Sequence, residues 1–231
     1  NHKGTYTPGM DILAKQTIFA EGARGHLGKK LIKAFNLDEG KTPQHFAIGF
    51  KEVWEVDNDK HSPGDVVHTM GWPLKGGTSG GGFLYHFDNN RIAVGLIVDL
   101  NYSNPSHSPF QEFQQFKQHP SIKQYLESGK RVSYGARAIT KGGINSLVKM
   151  EFDGGMIVGC DAGTLNPSKI KGSHCALQSG ILAAEYINKV LSEENCDFDD
   201  LFKSSALFKE LYESRNFSAA MHKFGFYLGA T

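Results

Sequence analysis

Apolar positions change their spacing three times along the chain. In "KQTIFAEGARGHLGKKLIKAFNL" the short run from Thr17 to Ala20 reads as a strand and Glu21-Gly22 as a turn. Leu27, Leu31 and Phe35, spaced i, i+4 and i+8, then define one face of a helix, so this stretch is a β-turn-α unit. From about Pro43 to Lys149 the apolar residues alternate or gather in short runs. "HFAIGFKEVWEV", "FLYHF" and "RIAVGLIVDL" predict an antiparallel sheet, with Asp88-Asn89-Asn90 turning between the last two. "SPFQEFQQFKQHPSIKQYL" interrupts the sheet with a helix carrying Phe110, Phe113 and Phe116 at spacing three, broken at His119-Pro120. "GGMIVGC" returns to a strand buried on both faces. After it come the loop "DAGTLNPSKIKG" and a helix whose Leu177, Ile181, Ala184, Asn188 and Leu191 share a face. The stretch from Asp197 onward is helical in texture and turns aromatic at "FGFYLGAT". The expected fold is therefore α/β (α+β): two α/β blocks around one antiparallel, β-rich block.

Composition narrows the function classes. With 25 Lys+Arg against 24 Asp+Glu the net charge is +1, so no global field draws the chain to nucleic acid. Cys160, Cys175 and Cys196 are odd in number and widely spaced. This argues against a disulfide framework and against a zinc or iron–sulfur ligand set, and predicts reduced thiols. There is no run of about 18 apolar residues for a membrane span, and "NHKGTYTPGM" lacks signal-peptide architecture. The first strand, Thr17 to Ala20, reads as part of something already under way, so the expectation is a piece of a longer protein.

Candidate chemistry centres on two places. "GWPLKGGTSGGGFLYHF" is no phosphate loop, since a strand rather than a Lys-Ser/Thr pair and a helix follows Gly82. Nor is it a free linker, because an aromatic strand abuts it directly. Two readings remain: a glycine-rich bulge at a sheet edge, or bare backbone against which a flat ligand lies. The second place is "GCDAGTLNPSKIKGSHC". Asp161 at the end of a strand is positioned to accept hydrogen bonds from sugar or ribityl hydroxyls, and the helix start at Gly172-Ser173-His174 favours negative charge. That pairing suits a flavin, whose reduced form is anionic along one edge; the alternative is an ordinary crossover in which Asp161 satisfies turn amides. Arg24 and Arg137, each in a Gly-Ala-Arg setting, are candidates for a pyrophosphate or for surface ion pairs. Glu21-Gly22 at a strand end is a better-placed neighbour for a cofactor. His86, His119 and His174 form no metal or nucleophile set and read as sheet-surface, loop and helix-cap residues. On a helix, residues 217, 221, 224 and 228 make one apolar face, fit either for the core or for a membrane interface.

At "GCDAGTLNPSKIKGSHCALQSG" the chain resembles the second flavin-contacting motif of the glutathione-reductase-like flavoproteins. The ordered series "TIFAEGARGHL", "GWPL", "GGGFLYH", "NPSHSPFQEFQQFKQHPSIK" and "GKRVSYGARA" is similar to the electron-transfer flavoprotein–ubiquinone oxidoreductase family, from about Thr17 to Asn216. The resemblance implies a glutathione-reductase-like FAD domain contributed discontinuously (1–42 and 156–192) around a ubiquinone-binding insert (43–155), with a helical membrane-surface segment at 193–231. It implies FAD contacts at Glu21, Gly22, Arg24, Arg137, Asp161, Gly163, Gly172 and Ser173. Quinone contacts are implied at Ser79, Gly80 and Gly81, the aromatic residue that relatives often carry being replaced by Ser79. Membrane contact is implied at Phe224, Phe226, Tyr227 and Leu228. Electrons would pass from electron-transfer flavoprotein through a [4Fe-4S] cluster and FAD to ubiquinone at the inner-membrane surface, mitochondrial or bacterial. The family's GxGxxG fingerprint and cluster cysteines have no counterpart in this chain and are expected outside it. Alternatives are a geranylgeranyl-reductase-like flavoprotein acting on an isoprenoid and a non-catalytic membrane docking module.

Overall fold

The computed structural model describes residues 4–75, 77–220 and 223. Phe224, Phe226, Tyr227 and Leu228, expected at the membrane, lie outside the described residues.

Five antiparallel strands form the larger sheet: β2 (Phe46–Glu55), β3 (Val66–Met70), β4 (Gly80–Phe87), β5 (Arg91–Asp99) and β6 (Lys130–Thr140), in the order β3-β4-β5-β2-β6. The β4–β5 hairpin closes where expected. Asn89 and Asn90 take φ of 61° and 53°, the left-handed region that asparagine tolerates and that matches the twist of paired strands. Alternation along β4 sorts its side chains: Gly82, Leu84 and His86 are buried on one face, while Gly81, Phe83 and Tyr85 look to the other. The inward face, continued by Ile92, Val94, Leu96 and Val98 of β5, packs on α2 (Pro109–Gln118) and α3 (Pro120–Leu126) through Phe113, Phe116, Ile122 and Leu126. His119 separates the two helices. As the residue before a proline it stays extended, ending α2, and its Nδ1 accepts the Ser121 amide at 3.3 Å to begin α3.

His86 corrects the sequence expectation. It is a core residue, 4% exposed, because it shares the parity of Leu84; its Nδ1 accepts from the Ser62 amide at 3.1 Å and its ring meets Tyr125 edge-on.

A second layer holds β1 (Thr17–Phe19), β7 (Glu151–Phe152) and β8 (Gly155–Ile157), with β1 parallel to β8, in the order β1-β8-β7. Helices α1 (His26–Ala34), α5 (Ser173–Leu191), α6 (Phe198–Lys203) and α7 (Ala206–Glu213) pack around it. Helix α1 turns Gly28, Leu31 and Ile32 inward and leaves Leu27 and Phe35 half exposed. On α5 the face shared by Leu177, Ile181, Ala184, Asn188 and Leu191 is the outer one: Leu177 and Ile181 are 70% and 66% exposed. The buried side carries the small residues Cys175, Ser179 and Ala183, four apart, flanked by Leu182, Tyr186 and Ile187. Small side chains let α5 approach the turn after β8 closely enough for the Gly159 amide to donate to Ser179 Oγ at 2.9 Å. With apolar residues on both sides of the helix, the choice of inner face falls to that close approach.

Candidate functional site

Strand β8 ends at Ile157, and Asp161 sits in a single helical turn, α4 (Gly159–Ala162), rather than at a strand end. Gly163 closes that turn at φ +99°, a conformation in which a side chain would be strained. Two carboxylates meet at the start of α1, which has no side-chain cap of its own. Glu21 Oε2 accepts from the Leu27 and Gly28 amides at 2.8 Å each, and Asp161 Oδ1 accepts from the Gly25 amide at 3.2 Å. Free helix-start amides attract such groups.

Bare positions make the arrangement possible. A Cβ on Gly28 would lie 2.6 Å from Asp161 Oδ2, and one on Gly25 2.7 Å from Asp161 Oδ1. The two acids are held differently. The Gly28 amide lowers the Glu21 carboxyl below its usual range, whereas burial, helped by the charge of Glu21, raises that of Asp161. Asp161 Oδ2 is buried with no partner among the described residues. An orphaned carboxylate oxygen needs a donor, and a ribityl or ribose hydroxyl is one such donor.

On the far side of the larger sheet a cavity of about 440 Å³ opens between the outer face of β3–β5 and the crossover loop that follows Asp161. Ser79, Gly80 and Gly81 line one wall, and Pro167 to Lys171 line the other. The glycines and the crossover loop thus share one space, while Asp161 itself is not among its lining residues.

Gly80, Gly81 and Gly82 are the first residues of β4, an inner strand with unbroken register to both neighbours, so they form neither a bulge nor an edge. The sheet itself requires them. A Cβ on Gly80 would strike the Ile97 carbonyl, one on Gly82 the Phe116 ring, and one on Gly81 would lie 2.7 Å from the Thr69 carbonyl. Strand β3 stops at Met70, opposite Gly81, so Gly80 has a strand partner only in Val98 of β5. The cavity begins where that ladder ends.

Polar groups sit at two ends of the cavity. At one end Lys141 Nζ donates to both Asp99 oxygens at 2.6 and 2.8 Å. At the other, Tyr85 meets Lys171 and His68 at 2.7 and 2.9 Å. Neither group was found from sequence. The alternation of β4 marks Tyr85 as a neighbour of Gly81, but nothing local marks His68, Lys141 or Lys171.

The crossover loop is tied down by Glu210 of α7. Its Oε1 accepts from Asn166 Nδ2 at 2.8 Å, His174 Nε2 at 2.9 Å and Lys169 Nζ at 3.1 Å. Burial alone would raise this carboxyl, yet hydrogen bonds from His174, Asn166 and Lys169 bring it to about 2. His174 is thus a hydrogen-bond partner of Glu210 in the first turn of α5, next to Ser173 and to Gly172, which caps that helix without a side-chain bond.

Arg137 stands on the exposed strand β6, opposite Gly49, and Arg24, at φ +58°, lies over the Phe46 ring at 5.5 Å. Gly22 takes φ +85° in the turn after β1. Among the described residues the acid pair joins Glu21 to Asp161; Arg24, Arg137 and Ser173 are not brought to it by any recorded contact. Cys160, Cys175 and Cys196 are free thiols, and burial pushes Cys175 up to about 11. Cys175 does approach His174 and Glu210, but the three cysteines do not gather, so these residues do not fit an iron–sulfur cluster.

Residues 46–139 match the family model for the ubiquinone-binding region of ETF-QO. Over 96% of its length the chain is 59% identical to the electron transfer flavoprotein-ubiquinone oxidoreductase of Pseudomonas aeruginosa, covering 42% of that protein. Over nearly its whole length the chain is thus similar to electron transfer flavoprotein–ubiquinone oxidoreductases. The human mitochondrial member is 47% identical over 95% of the chain and is covered over 38% of its own length. The chain therefore spans about two fifths of the curated relatives it matches.

Two solved structures share the fold. A geranylgeranyl bacteriochlorophyll reductase-like protein from Thermoplasma acidophilum superposes with a TM-score of 0.70 at 16% identity, covering 91% of this chain and 51% of that one. A flavoprotein/dehydrogenase from Cytophaga hutchinsonii gives 0.59 at 15% identity, with 86% and 47% coverage. None of the described helices is long and apolar enough to cross a membrane.

Proposed function

We propose that the cavity beside Gly80 and Gly81 is the ubiquinone site of a flavin-dependent oxidoreductase, and that the chain contributes part of an FAD site through Asp161. The observation that carries this is the meeting, in one cavity, of bare β4 backbone with the loop that leads from Asp161 into α5. The quinone ring lies on the Gly81 face, and a ring carbonyl takes the place of the missing β3 partner near Gly80. A single such hydrogen bond contributes only about 0.5–1.5 kcal/mol net, so burial of the ring and tail against Phe83 and Ile97 supplies most of the affinity.

On the flavin side, Asp161 Oδ2 takes a hydroxyl of the ribityl chain, and the α5 start at Gly172-Ser173 faces the edge that becomes anionic. Gly163 keeps the turn tight, while Glu21 and Gly22 hold α1 in place for it. FAD supplies the two-electron chemistry. Arg24 and Arg137 are kept as candidate phosphate or flavin-edge ligands, and Ser79 flanks the ring.

The division into a discontinuous glutathione-reductase-like FAD domain (1–42, 156–192), a quinone insert (43–155) and a membrane-surface segment (193–231) is part of this proposal. So are delivery of electrons by electron-transfer flavoprotein and docking on the inner membrane through Phe224, Phe226, Tyr227 and Leu228. A [4Fe-4S] cluster would take its ligands from residues outside this chain.

Titration of isotope-labelled chain with a short-tail ubiquinone analogue tests the reading. The Gly80 and Gly81 amides should shift first and saturably. Shifts confined to other surfaces would overturn it.

A further inference from the structure

Tyr85 extends from the same face of β4 as Gly81 and Phe83 and reaches the rim of the cavity. Lys171 Nζ donates to its hydroxyl oxygen at 2.7 Å, His68 Nε2 lies 2.9 Å from that oxygen, and the two nitrogens are 3.4 Å apart. The three polar heads close a triangle that ties two neighbouring strands of the larger sheet, β3 and β4, to the crossover loop. His68 and Lys171 are exposed, so the triangle is not needed to satisfy buried groups. Exposed contacts of this kind add little to the stability of a fold.

Other charged groups of the cavity are already engaged. Lys141 is held by both Asp99 oxygens and Lys169 by Glu210; His45 lies at the Lys141 end, where its carbonyl accepts the Lys141 amide. Among the described residues Lys171 Nζ meets Tyr85 and His68.

We propose that the Tyr85 hydroxyl, resupplied by Lys171 and oriented by His68, delivers a proton to the quinone reduced in this cavity. This rests on the quinone reading above. Gly81 and Tyr85 are four residues apart on one face, about 13 Å along the strand; the Phe83 ring, stacked on Tyr85 at 4.8 Å, lies between them, and a quinone ring laid on Phe83 bridges the two.

The step balances as follows. A quinone becomes a quinol by taking two electrons, here from a two-electron flavin donor, and one proton on each carbonyl oxygen. At the carbonyl oxygen turned toward Tyr85, the Tyr85 O–H bond breaks as the quinol O–H bond forms. The Lys171 ammonium then returns a proton to the phenolate across the 2.7 Å contact, and the exposed amine regains one from water. The oxygen held near Gly80 takes its proton from water, which completes the quinol.

His68 is a positioning residue. Partial desolvation of its ring chiefly, and then the Lys171 charge, lower its pKa, which favours the neutral ring that accepts at Nε2 from the tyrosine hydroxyl until a quinone arrives.

The test compares two oxidants on the flavin-loaded protein: a ubiquinone analogue, which takes up protons, and ferricenium, which takes one electron and no proton. For Tyr85→Phe, quinone turnover should fall on the order of 100-fold with little change in its KM, while ferricenium turnover is unchanged. Lys171→Met should act in the same direction, again sparing ferricenium turnover. In the 231-residue chain without flavin, Lys171→Met should also raise the NMR titration midpoint of His68. Wild-type quinone turnover in Tyr85→Phe, or equal loss with both oxidants, overturns the proton route. Failure of the quinone reading is distinct, because the Gly80 and Gly81 amides would then ignore the analogue.

Discussion

Replacing Gly28 by alanine should destabilise this chain, although the same change in a helix generally helps. At an open helical position alanine gains at most about 0.5–1 kcal/mol over glycine. Position 28 is not open. The new Cβ would lie 2.6 Å from Asp161 Oδ2, and the carboxylate, which is buried, would have to swing away from the Gly25 amide it now meets at 3.2 Å. A hydrogen bond to a charged group is worth about 1.5–3 kcal/mol, so the net loss is about 1–2 kcal/mol. Gly180, in α5, provides the control, because a Cβ there has nothing within 4 Å. Gly180→Ala should stabilise by about 0.5–1 kcal/mol. Urea unfolding monitored by circular dichroism should therefore move the midpoints in opposite directions at unchanged slope. In an Asp161→Ala background the Gly28→Ala penalty should vanish, a coupling within the range of about 0.5–3 kcal/mol seen for residues in contact. If Gly28→Ala stabilises as much as Gly180→Ala, or if the penalty survives without Asp161, the account of this helix start is wrong.

Glu210 makes stability depend on pH: with a folded value of about 2 against an ordinary 4.5, its contribution is full above 4.5 and is lost as pH falls toward 2. Glu210→Gln should flatten that part of an acid-denaturation curve, and an unchanged curve would remove Glu210 as the anchor of the crossover loop. Glu52, 3% exposed, binds Lys117 at 2.9 Å and Arg131 at 3.1 Å. Glu52→Ala leaves the mostly buried Lys117 unpaired and should cost about 3 kcal/mol in chemical unfolding, a loss under 1 kcal/mol counting against the pair. Gly80→Ala pushes a methyl against the Ile97 carbonyl and should cost about 1–3 kcal/mol while blunting the response of neighbouring amides to the quinone analogue; a neutral variant would mean that β4 has room to yield.

Local signals foretold local structure. The paired asparagines at 89 and 90 and the proline at 120 marked the hairpin and the helix break because each residue limits its own backbone. The α5 face was misjudged because Leu177 and Ile181 on one side and Leu182 and Ile187 on the other are equally apolar, and only the neighbours decide. The glycines of β4 were visible, but their cause was not. Ile97, Thr69 and Phe116 come to them from other elements. Least legible was the Lys171–Tyr85–His68 triangle, whose members lie up to 103 residues apart and meet only through the crossover.

Phe83 offers a last consequence. A Cβ on Gly95 would meet both the Phe83 ring and the Phe50 carbonyl, so the aromatic ring rests on a spot that backbone keeps permanently vacant. Gly95 cannot trade volume with its neighbour. The girth of any molecule admitted along this wall is thus governed by position 83, where a smaller residue would widen the entrance without disturbing the strands beneath.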